Sequence, residues 1–272
     1  MQINVMMEGK HMVAKKIAAV TLSAFLITTV APSFVFADSV TSQTTNADGS
    51  TTYIEEETSG STTTTTTVTV EDDGSATITV STDNSSSGAS TDITYTSSSE
   101  DSSSVTLEKV DTTSSSVTIP ATVTAADGTV YEVTEIGASA LKNSDVSSVS
   151  IPKTVETIAK NAFADCDNLK SINTKNTDTI EKGAFKNCDS LTSLKTSATT
   201  IGANAFKGCD LSKITYTATT KNVSFASNAL KGAGKGTTIV IKAASKSLYK
   251  SIVKAMKNAG AKKATFKFKK IS

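Results

Sequence analysis

The amino-acid sequence lacks residue types on which many active sites depend. The chain of 272 residues has no Arg and no Trp, and His11 is its only histidine. Serine–histidine–aspartate catalysis, cysteine–histidine catalysis and histidine-ligated metal sites all require histidine. Because His11 lies in a segment that we expect to be cleaved off, these chemistries are excluded from the mature chain.

Paired-carboxylate chemistry, as in glycosidases, needs neither histidine nor arginine and is compatible with this composition. However, no carboxylate pair and no aromatic platform stand out along the chain. The sequence therefore predicts a protein that is not an enzyme and that has no cofactor and no metal site.

The first 37 residues have the pattern of a signal peptide. Lys15 and Lys16 form a basic start, residues 17–30 are mostly apolar, and residues 35–37 fit the small-x-small cleavage pattern. The apolar run is too short and too weakly apolar to favour a permanent membrane helix. We expect a secreted or extracellular protein, with association with the cell surface as an alternative. We also expect that the mature chain begins at Asp38 and that it has no stable membrane span after signal cleavage.

Charge is divided between the two ends of the chain, although the formal net charge is only +1. Residues 38–111 are acidic, and Lys109 is the only basic residue among them. No acidic residue follows Asp210, while Lys recurs every few positions. Such a division predicts that the two ends meet different partners, or each other. Simple solubilisation is the alternative interpretation.

Two segments precede the repeats described below. Residues 38–90 are an acidic, low-complexity segment rich in Ser and Thr, for which we expect a stalk or a loosely ordered ribbon. Within it, residues 67–70 and 76–80 flank an Asp-Gly turn and predict a β-hairpin that is weak unless it pairs further. Residues 91–134 contain several short apolar stretches and predict an N-terminal β cap over the open end of the repeats.

Residues 135–242 contain an internal repeat, which decides the fold class. In each copy an apolar residue is followed, four positions later, by Ala and then Phe or Leu. The alanines are spaced by 22, 22, 21 and 24 residues. The five copies are 136–141, 158–163, 180–185, 201–206 and 225–230. A Cys at a fixed offset and a strand of the form L-x-x-L follow most of the copies. Because one unit of 22 residues cannot bury its own apolar side, we expect Phe163, Phe185 and Phe206 to stack in a continuous column between the coils.

The combined pattern I-x-x-x-A-F-x-x-C-x-x-L-x-x-I resembles the BspA-like family of leucine-rich repeats, over about residues 117–242. The resemblance implies a right-handed, β-rich α/β solenoid with parallel strands on one face and short helical or 3₁₀ turns on the other. It also implies a location on the cell surface and binding to host or bacterial partners, without catalytic residues. Two departures are that the fourth copy is one residue short and that Ala233 replaces the last Cys.

Residues 243–272 form a Lys-rich C-terminal cap, which we expect to contain a helix and a strand. Ser245 is a suitable N-cap, and Gly260 is suited to the position after the helix. Between them, an apolar stripe is surrounded by lysines. Residues 264–268 have the alternation of a final strand.

Two columns of residues allow more than one interpretation. Cys166, Cys188 and Cys209 recur with the repeat, and we expect buried core thiols, with a strained disulfide or a metal site as the alternatives. Asp167, Asp189 and Asp210 each follow one of these cysteines. Turn chemistry explains aspartate there, and a calcium ladder is the alternative.

Two surfaces are candidates for binding. The first is the outward side of the parallel strands, which is the usual recognition surface of solenoids. Its predicted residues are Ser148, Ser150, Ser171, Asn173, Ser193, Lys195, Lys213 and Thr215. The second is a patch of lysines for anionic wall polymers such as teichoic acids or acidic glycans. Lys267 extends this patch. Its predicted residues are Lys246, Lys250, Lys254, Lys257, Lys262, Lys263, Lys269 and Lys270.

These surfaces lead to two functional hypotheses. The first is an extracellular binding or adhesion module that recognises a protein or a glycan. The second is a structural protein of the cell envelope, held on anionic wall polymer through its Lys-rich C-terminal end. Nucleic acid is not an expected partner, because aromatic residues are sparse between the lysines and the chain is expected to be exported.

Overall fold

The computed structural model describes residues 42–71, 75–97, 103–124 and 130–271. These residues belong to two compact units. The first unit runs up to Thr112 and includes Thr122–Val133, and the second comprises Thr113–Ala121 and the chain from Thr134 onward. The predicted signal peptide, residues 1–37, lies outside the described residues.

The first unit is built from antiparallel strands, each of which pairs with its neighbour in sequence. A short hairpin of two further strands, β8 and β9, completes it. The strands are β1 (Ser42–Thr45), β2 (Thr51–Ser59), β3 (Thr62–Val70), β4 (Ala76–Asn84), β5 (Ala89–Ser97), β6 (Ser104–Thr112), β8 (Thr122–Thr124) and β9 (Val130–Ile136).

The expectation of a loosely ordered segment over residues 38–90 is wrong for its described part, which is mostly strand. Threonine is β-branched and favours extended backbone. Cross-strand hydroxyl contacts add to the pairing, as between Thr91 and Thr112 with an Oγ1–Oγ1 distance of 2.7 Å. The predicted hairpin is confirmed: Val70 pairs with Ala76 and Val68 with Ile78. It also pairs on both outer sides, which is the condition that an isolated hairpin lacks.

The expected β cap over residues 91–134 is divided between the two units. β5 and β6 continue the antiparallel strands of the first unit. By contrast, β7 (Ser116–Thr118) pairs in parallel with β10 (Ser148–Ser150), placing Val117 beside Val149. β7 is therefore the first strand of the repeat region, and the domain boundary expected at residue 91 falls instead near Thr112.

The second unit is a parallel-strand β-solenoid. Seven parallel strands form its main sheet, in the order β19-β18-β16-β14-β12-β10-β7. Apart from β7 and β10 they are β12 (Ser171–Thr174), β14 (Ser193–Thr196), β16 (Lys213–Thr217), β18 (Thr238–Ala243) and β19 (Thr265–Lys270). A second parallel ladder begins with the end of β9 and continues through two-residue strands. These are β11 (Thr157–Ile158), β13 (Thr179–Ile180), β15 (Thr200–Ile201) and β17 (Ser224–Phe225).

The turns between the two ladders depend on residues with positive φ. One such residue directly precedes the repeat alanine, with φ between 56° and 68°, and a second lies four positions later in four of the copies. The first set is Ser139, Asn161, Gly183, Asn204 and Asn228, and the second is Asn143, Asp165, Asn187 and Gly208. Asn, Asp and Gly tolerate this left-handed region best. Because a right-handed helix cannot continue through such a residue, these segments are single turns and not continuous helices. The turns are closed by i→i−3 hydrogen bonds, such as that from the Ala162 amide to the Ala159 carbonyl at 3.2 Å, which is the 3₁₀ pattern that the family resemblance implied.

The C-terminal helix α1 (Lys246–Asn258) lies between β18 and β19. The Ser245 side chain accepts a hydrogen bond of 3.1 Å from the Leu248 amide, which confirms the predicted N-cap. Gly260 follows the helix with a φ of 115°, as expected after a helix end. Ile252 and Met256 are the buried residues of the apolar stripe. Among the described residues, no helix has the length and hydropathy needed to cross a bilayer.

Candidate binding surface

The buried residues inside the coils set the distance between neighbouring coils, and therefore the spacing of the residues on the outer side. Phe163, Phe185 and Phe206 are completely buried and stack face to face, as their spacing predicted. Ring centroids are 5.0 Å apart between Phe163 and Phe185 and 5.2 Å apart between Phe185 and Phe206, with interplanar angles of 8° and 4°. The coils are therefore held at the distance of one strand pair along the whole stack.

Backbone hydrogen bonds also link one coil to the next through these aromatic residues. The Phe163 amide donates to the carbonyl of Ala184, and the Phe185 amide to that of Ala205, both at 2.8 Å. The alanine position is completely buried in both coils. A larger side chain there would separate the coils, which explains why Ala accompanies each aromatic residue.

The three cysteines are free and buried. Each thiol donates a hydrogen bond of 3.0 Å to a carbonyl of the preceding coil; the acceptors are Leu141 for Cys166, Phe163 for Cys188 and Phe185 for Cys209. These contacts support the prediction of core thiols. In the part of the chain that the structure describes, no group of three or more potential metal ligands is found.

Thiol ionisation is opposed at two positions of this column, Cys166 and Cys188. Hydrogen bonding to Cys188 and burial raise the pKa of the Cys166 thiol far above its usual range. For Cys188, the contact with Cys166 lowers the pKa, but the contact with Cys209 and burial outweigh it and raise the pKa. Because the thiolate is the reactive form, Cys166 and Cys188 are unsuited to nucleophilic chemistry.

The structure brings all eight predicted strand-face residues together. Their inner neighbours, such as Ile172 and Leu194, are buried, so the alternate residues point outward. Strand register aligns them in two rows across the sheet. One row is Ser148, Ser171, Ser193 and Lys213, and the other is Ser150, Asn173, Lys195 and Thr215. Every one of these residues is exposed or half-exposed.

This outer strand face, defined by those eight residues, carries hydroxyl, amide and ammonium groups but no carboxylate. The aspartates Asp167, Asp189 and Asp210 are exposed in the turns that precede the strands, at one edge of the sheet. Among the described residues, their side chains make no hydrogen bond to a buried group, and they lie outside the two rows. Turn geometry is sufficient to explain them.

The predicted Lys-rich patch is not one surface. The Tyr249 ring of α1 contacts the Phe268 ring, with 5.3 Å between the ring centroids. The Lys257 ammonium of α1 lies 5.8 Å from the centroid of the Phe266 ring. Phe266 and Phe268 pair with the buried residues Ile239 and Ile241, so α1 packs against the inner side of β19. Alternation puts Lys270 on that same side and Lys267 and Lys269 on the outer side. The lysines of α1, including Lys246, Lys250 and Lys254, are thus separated by β19 from Lys269.

Sequence reasoning missed Lys242, which joins Lys267 and Lys269 on the outer side of the sheet. Lys242 pairs with Lys269 across β18 and β19. Its signal was available: Ile239, Ile241 and Ala243 alternate as inner residues, which leaves Val240 and Lys242 pointing outward. The boundary predicted between residues 242 and 243 separated Lys242 from the lysines of the C-terminal cap.

Comparison with known protein families agrees with the repeat and its geometry. Residues 111–232 match a family described as the BspA type leucine rich repeat region, in six copies. The repeat region is a BspA-type leucine-rich-repeat domain. A comparison with curated proteins finds no match.

Three solved structures are similar to this chain. A leucine-rich repeat protein from Bacteroides capillosus is 28% identical with a TM-score of 0.40, and the match covers 46% of this chain and 93% of that one. One from Bacteroides ovatus is 28% identical with a TM-score of 0.41, covering 56% of this chain but only 37% of that one. A leucine rich cell surface protein from Faecalibacterium prausnitzii is 16% identical with a TM-score of 0.29, covering 69% and 70%.

Proposed function

We propose that this protein is an extracellular binding module that recognises a protein or glycan partner through the outer strand face. Proteins with BspA-type repeats are typically surface-associated interaction modules, and the fold is typically non-enzymatic. The predicted signal peptide supports export. The partner, adhesion and secretion are parts of this proposal.

The observation that carries the proposal is the register of the outer strand face. Five strands of the second unit hold their outward residues in aligned rows, namely β10, β12, β14, β16 and β18. The inner residues fix each strand, because Val149, Ile172 and Leu194 are buried in the core. The outward groups are therefore preorganised, and a partner would not have to order them on binding.

The chemistry of the outer strand face fits a polar partner. Serine, threonine and asparagine side chains donate and accept hydrogen bonds, and the two lysines Lys195 and Lys213 donate only. No aromatic residue points outward in the two rows, so no single side chain is suited to anchor an apolar pocket. Hydrogen bonding spread along the rows suits an extended partner, such as a peptide segment or a glycan chain.

We expect that adding negative charge to the outer strand face weakens partner binding at least tenfold. The test variant is S148E/N173E/T215E in the full chain, screened on an array of glycans and matrix proteins beside the unchanged protein. The three substituted side chains point outward, and the buried residues of their strands are unchanged, so the fold should be retained. Circular dichroism would check this. A drop of at least tenfold in affinity corresponds to about 1.4 kcal/mol, well within the cost of an unpaired carboxylate at an interface.

The matched control changes the net charge by the same amount on the turn side of the coils. Lys142, Lys182 and Lys207 are exposed there, and the control variant is K142Q/K182Q/K207Q. It should keep the binding profile of the unchanged protein. If both variants bind alike, or if only the control loses binding, the outer strand face is not the recognition surface.

A further inference from the structure

The charge at the strand-starting edge of the main sheet reverses sign along the stack. Asp145, Asp167, Asp189 and Asp210 each precede the first residue of β10, β12, β14 or β16 by three or four positions. At the same distance, Lys235 precedes β18 and Lys262 precedes β19. Since the strands are parallel, residues that precede them line one edge of the sheet. All six of these side chains are exposed.

The outward side of the last two strands carries the same sign. Lys242 lies directly beside Lys269, and Lys267 lies beside Val240. Neighbouring strands are about 4.8 Å apart, and outward residues two positions apart on a strand are separated by about 6.6 Å. The backbone positions of Lys242, Lys267 and Lys269 therefore form a compact triangle of outward lysines at the end of the sheet.

No carboxylate side chain compensates these lysines within the C-terminal region. Asp210 is the last acidic residue of the sequence, and it lies at the start of β16, two strands away from β19. The remaining outward neighbours are hydroxyl residues, namely Thr217, Thr238 and Thr265. Threonine hydroxyls can donate to phosphate oxygens beside an ammonium group.

We propose that Lys242, Lys262, Lys267 and Lys269, together the terminal basic face, bind a linear polymer of polyol units joined by phosphodiesters, of which poly(glycerol phosphate) is the simplest form. Lysine ammonium groups are compact point charges that bind phosphate without the planar match that arginine offers to carboxylate. A polymer with one charge on every repeat unit contacts several of these lysines at once. Such contacts are individually weak but add through multivalency.

The terminal basic face is distinct from the outer strand face and from the lysines of α1. It shares no residue with the eight that define the outer strand face. α1 lies against the inner side of β19, so Lys246, Lys250 and Lys254 are on the opposite side of that strand. This separation supplies a control of equal charge on the same C-terminal region.

The test measures binding of the full chain to poly(glycerol phosphate) by fluorescence polarisation, at about 0.05 M and about 0.3 M salt. The variant is K262Q/K267Q/K269Q, and the control is K246Q/K250Q/K254Q. We expect the variant to bind about tenfold more weakly at low salt, since three exposed ion pairs, each weak by itself, are lost together. The control should bind like the unchanged protein, and the difference should shrink at high salt because exposed charges are screened beyond about 10 Å at 0.1 M.

Three results would overturn the proposal. Equal weakening by the variant and the control would mean that net charge alone attracts the polymer. Tighter binding of polygalacturonate, a carboxylate polymer of similar charge, would contradict the preference for phosphodiesters. Lack of binding to poly(glycerol phosphate) at low salt would exclude the site. None of these results affects the proposed function of the outer strand face, which is tested with its own variants.

Discussion

Replacing Phe185 with alanine is expected to destabilise the repeat region by about 3–5 kcal/mol, the range measured for buried aromatic residues cut to alanine. Phe185 is completely buried and stacks on Phe163 on one side and on Phe206 on the other. The substitution therefore opens a cavity in the middle of the column and removes two ring contacts. A loss of this size is a large share of the total stability of a typical domain, about 5–15 kcal/mol. Urea unfolding followed by circular dichroism measures it.

The control for this prediction is the substitution Phe185→Leu. Leucine occupies the same position in two other coils, as Leu141 and Leu230, where it is also buried. The coil geometry thus accepts leucine, and the loss should be clearly smaller than that of Phe185→Ala. A Phe185→Ala variant as stable as the unchanged protein would show that the aromatic column does not hold the coils together.

Replacing Gly232 with alanine is expected to cost about 1–3 kcal/mol or more, as inserting an extra methyl group into a filled space does. A Cβ atom at Gly232 would lie 2.4 Å from the Phe206 carbonyl oxygen and 2.8 Å from that of Cys209. Both contacts are with backbone of the preceding coil, which cannot move without disturbing the stack. The thermal unfolding midpoint should fall accordingly.

Gly234, two residues further on, supplies the matched control. A Cβ atom there would meet nothing within 4 Å. Gly234→Ala should leave the unfolding midpoint nearly unchanged, because the new methyl group points into open space and the backbone is not in the left-handed region. If the two variants were equally stable, the coils would not approach each other at Gly232 as closely as the structure indicates.

The sequence was sufficient to predict the repeat region because its inner positions are so regular. The spacing of Phe163, Phe185 and Phe206 predicted their stacking, and the recurrence of the cysteines predicted buried thiols. The same inner positions fixed the outward rows, since side chains alternate strictly along a strand. The eight residues of the outer strand face could therefore be assembled from the repeat alone.

Regions without an inner apolar pattern were predicted less well. The first unit is rich in threonine, and its strands are stabilised by pairing with both neighbours and by hydroxyl contacts such as that between Thr79 and Thr94. Such cooperative pairing is not visible in one segment taken alone. The domain boundary was expected at residue 91 and lies near Thr112, although the family resemblance begins at about residue 117. A further signal is that residues 116–120, Ser-Val-Thr-Ile-Pro, repeat as Ser-Val-Ser-Ile-Pro at 148–152.

The Lys-rich end was grouped wrongly for a geometric reason. The lysines of α1 and those of β19 lie close together in sequence. The side of the sheet that each lysine faces depends on how α1 packs against β19. The contact of Tyr249 with Phe268 places α1 on the inner side of β19. Only then does the alternation of β19 divide Lys269 from Lys270.

Successive coils stack closely enough to exclude solvent from their shared core. Thiol reactivity tests it most directly, because Cys166, Cys188 and Cys209 lie in three successive coils and each donates to a carbonyl of the preceding one. In the folded protein at neutral pH, a bulky aromatic disulfide reagent should modify none of the three at an appreciable rate. Cys166 and Cys188 should stay unreactive as the pH rises past about 8.5, the usual thiol pKa, because their own pKa values are raised. All three should react rapidly after denaturation in guanidinium chloride, whereas modification of all three in the folded protein at the denatured rate would contradict the stacked core.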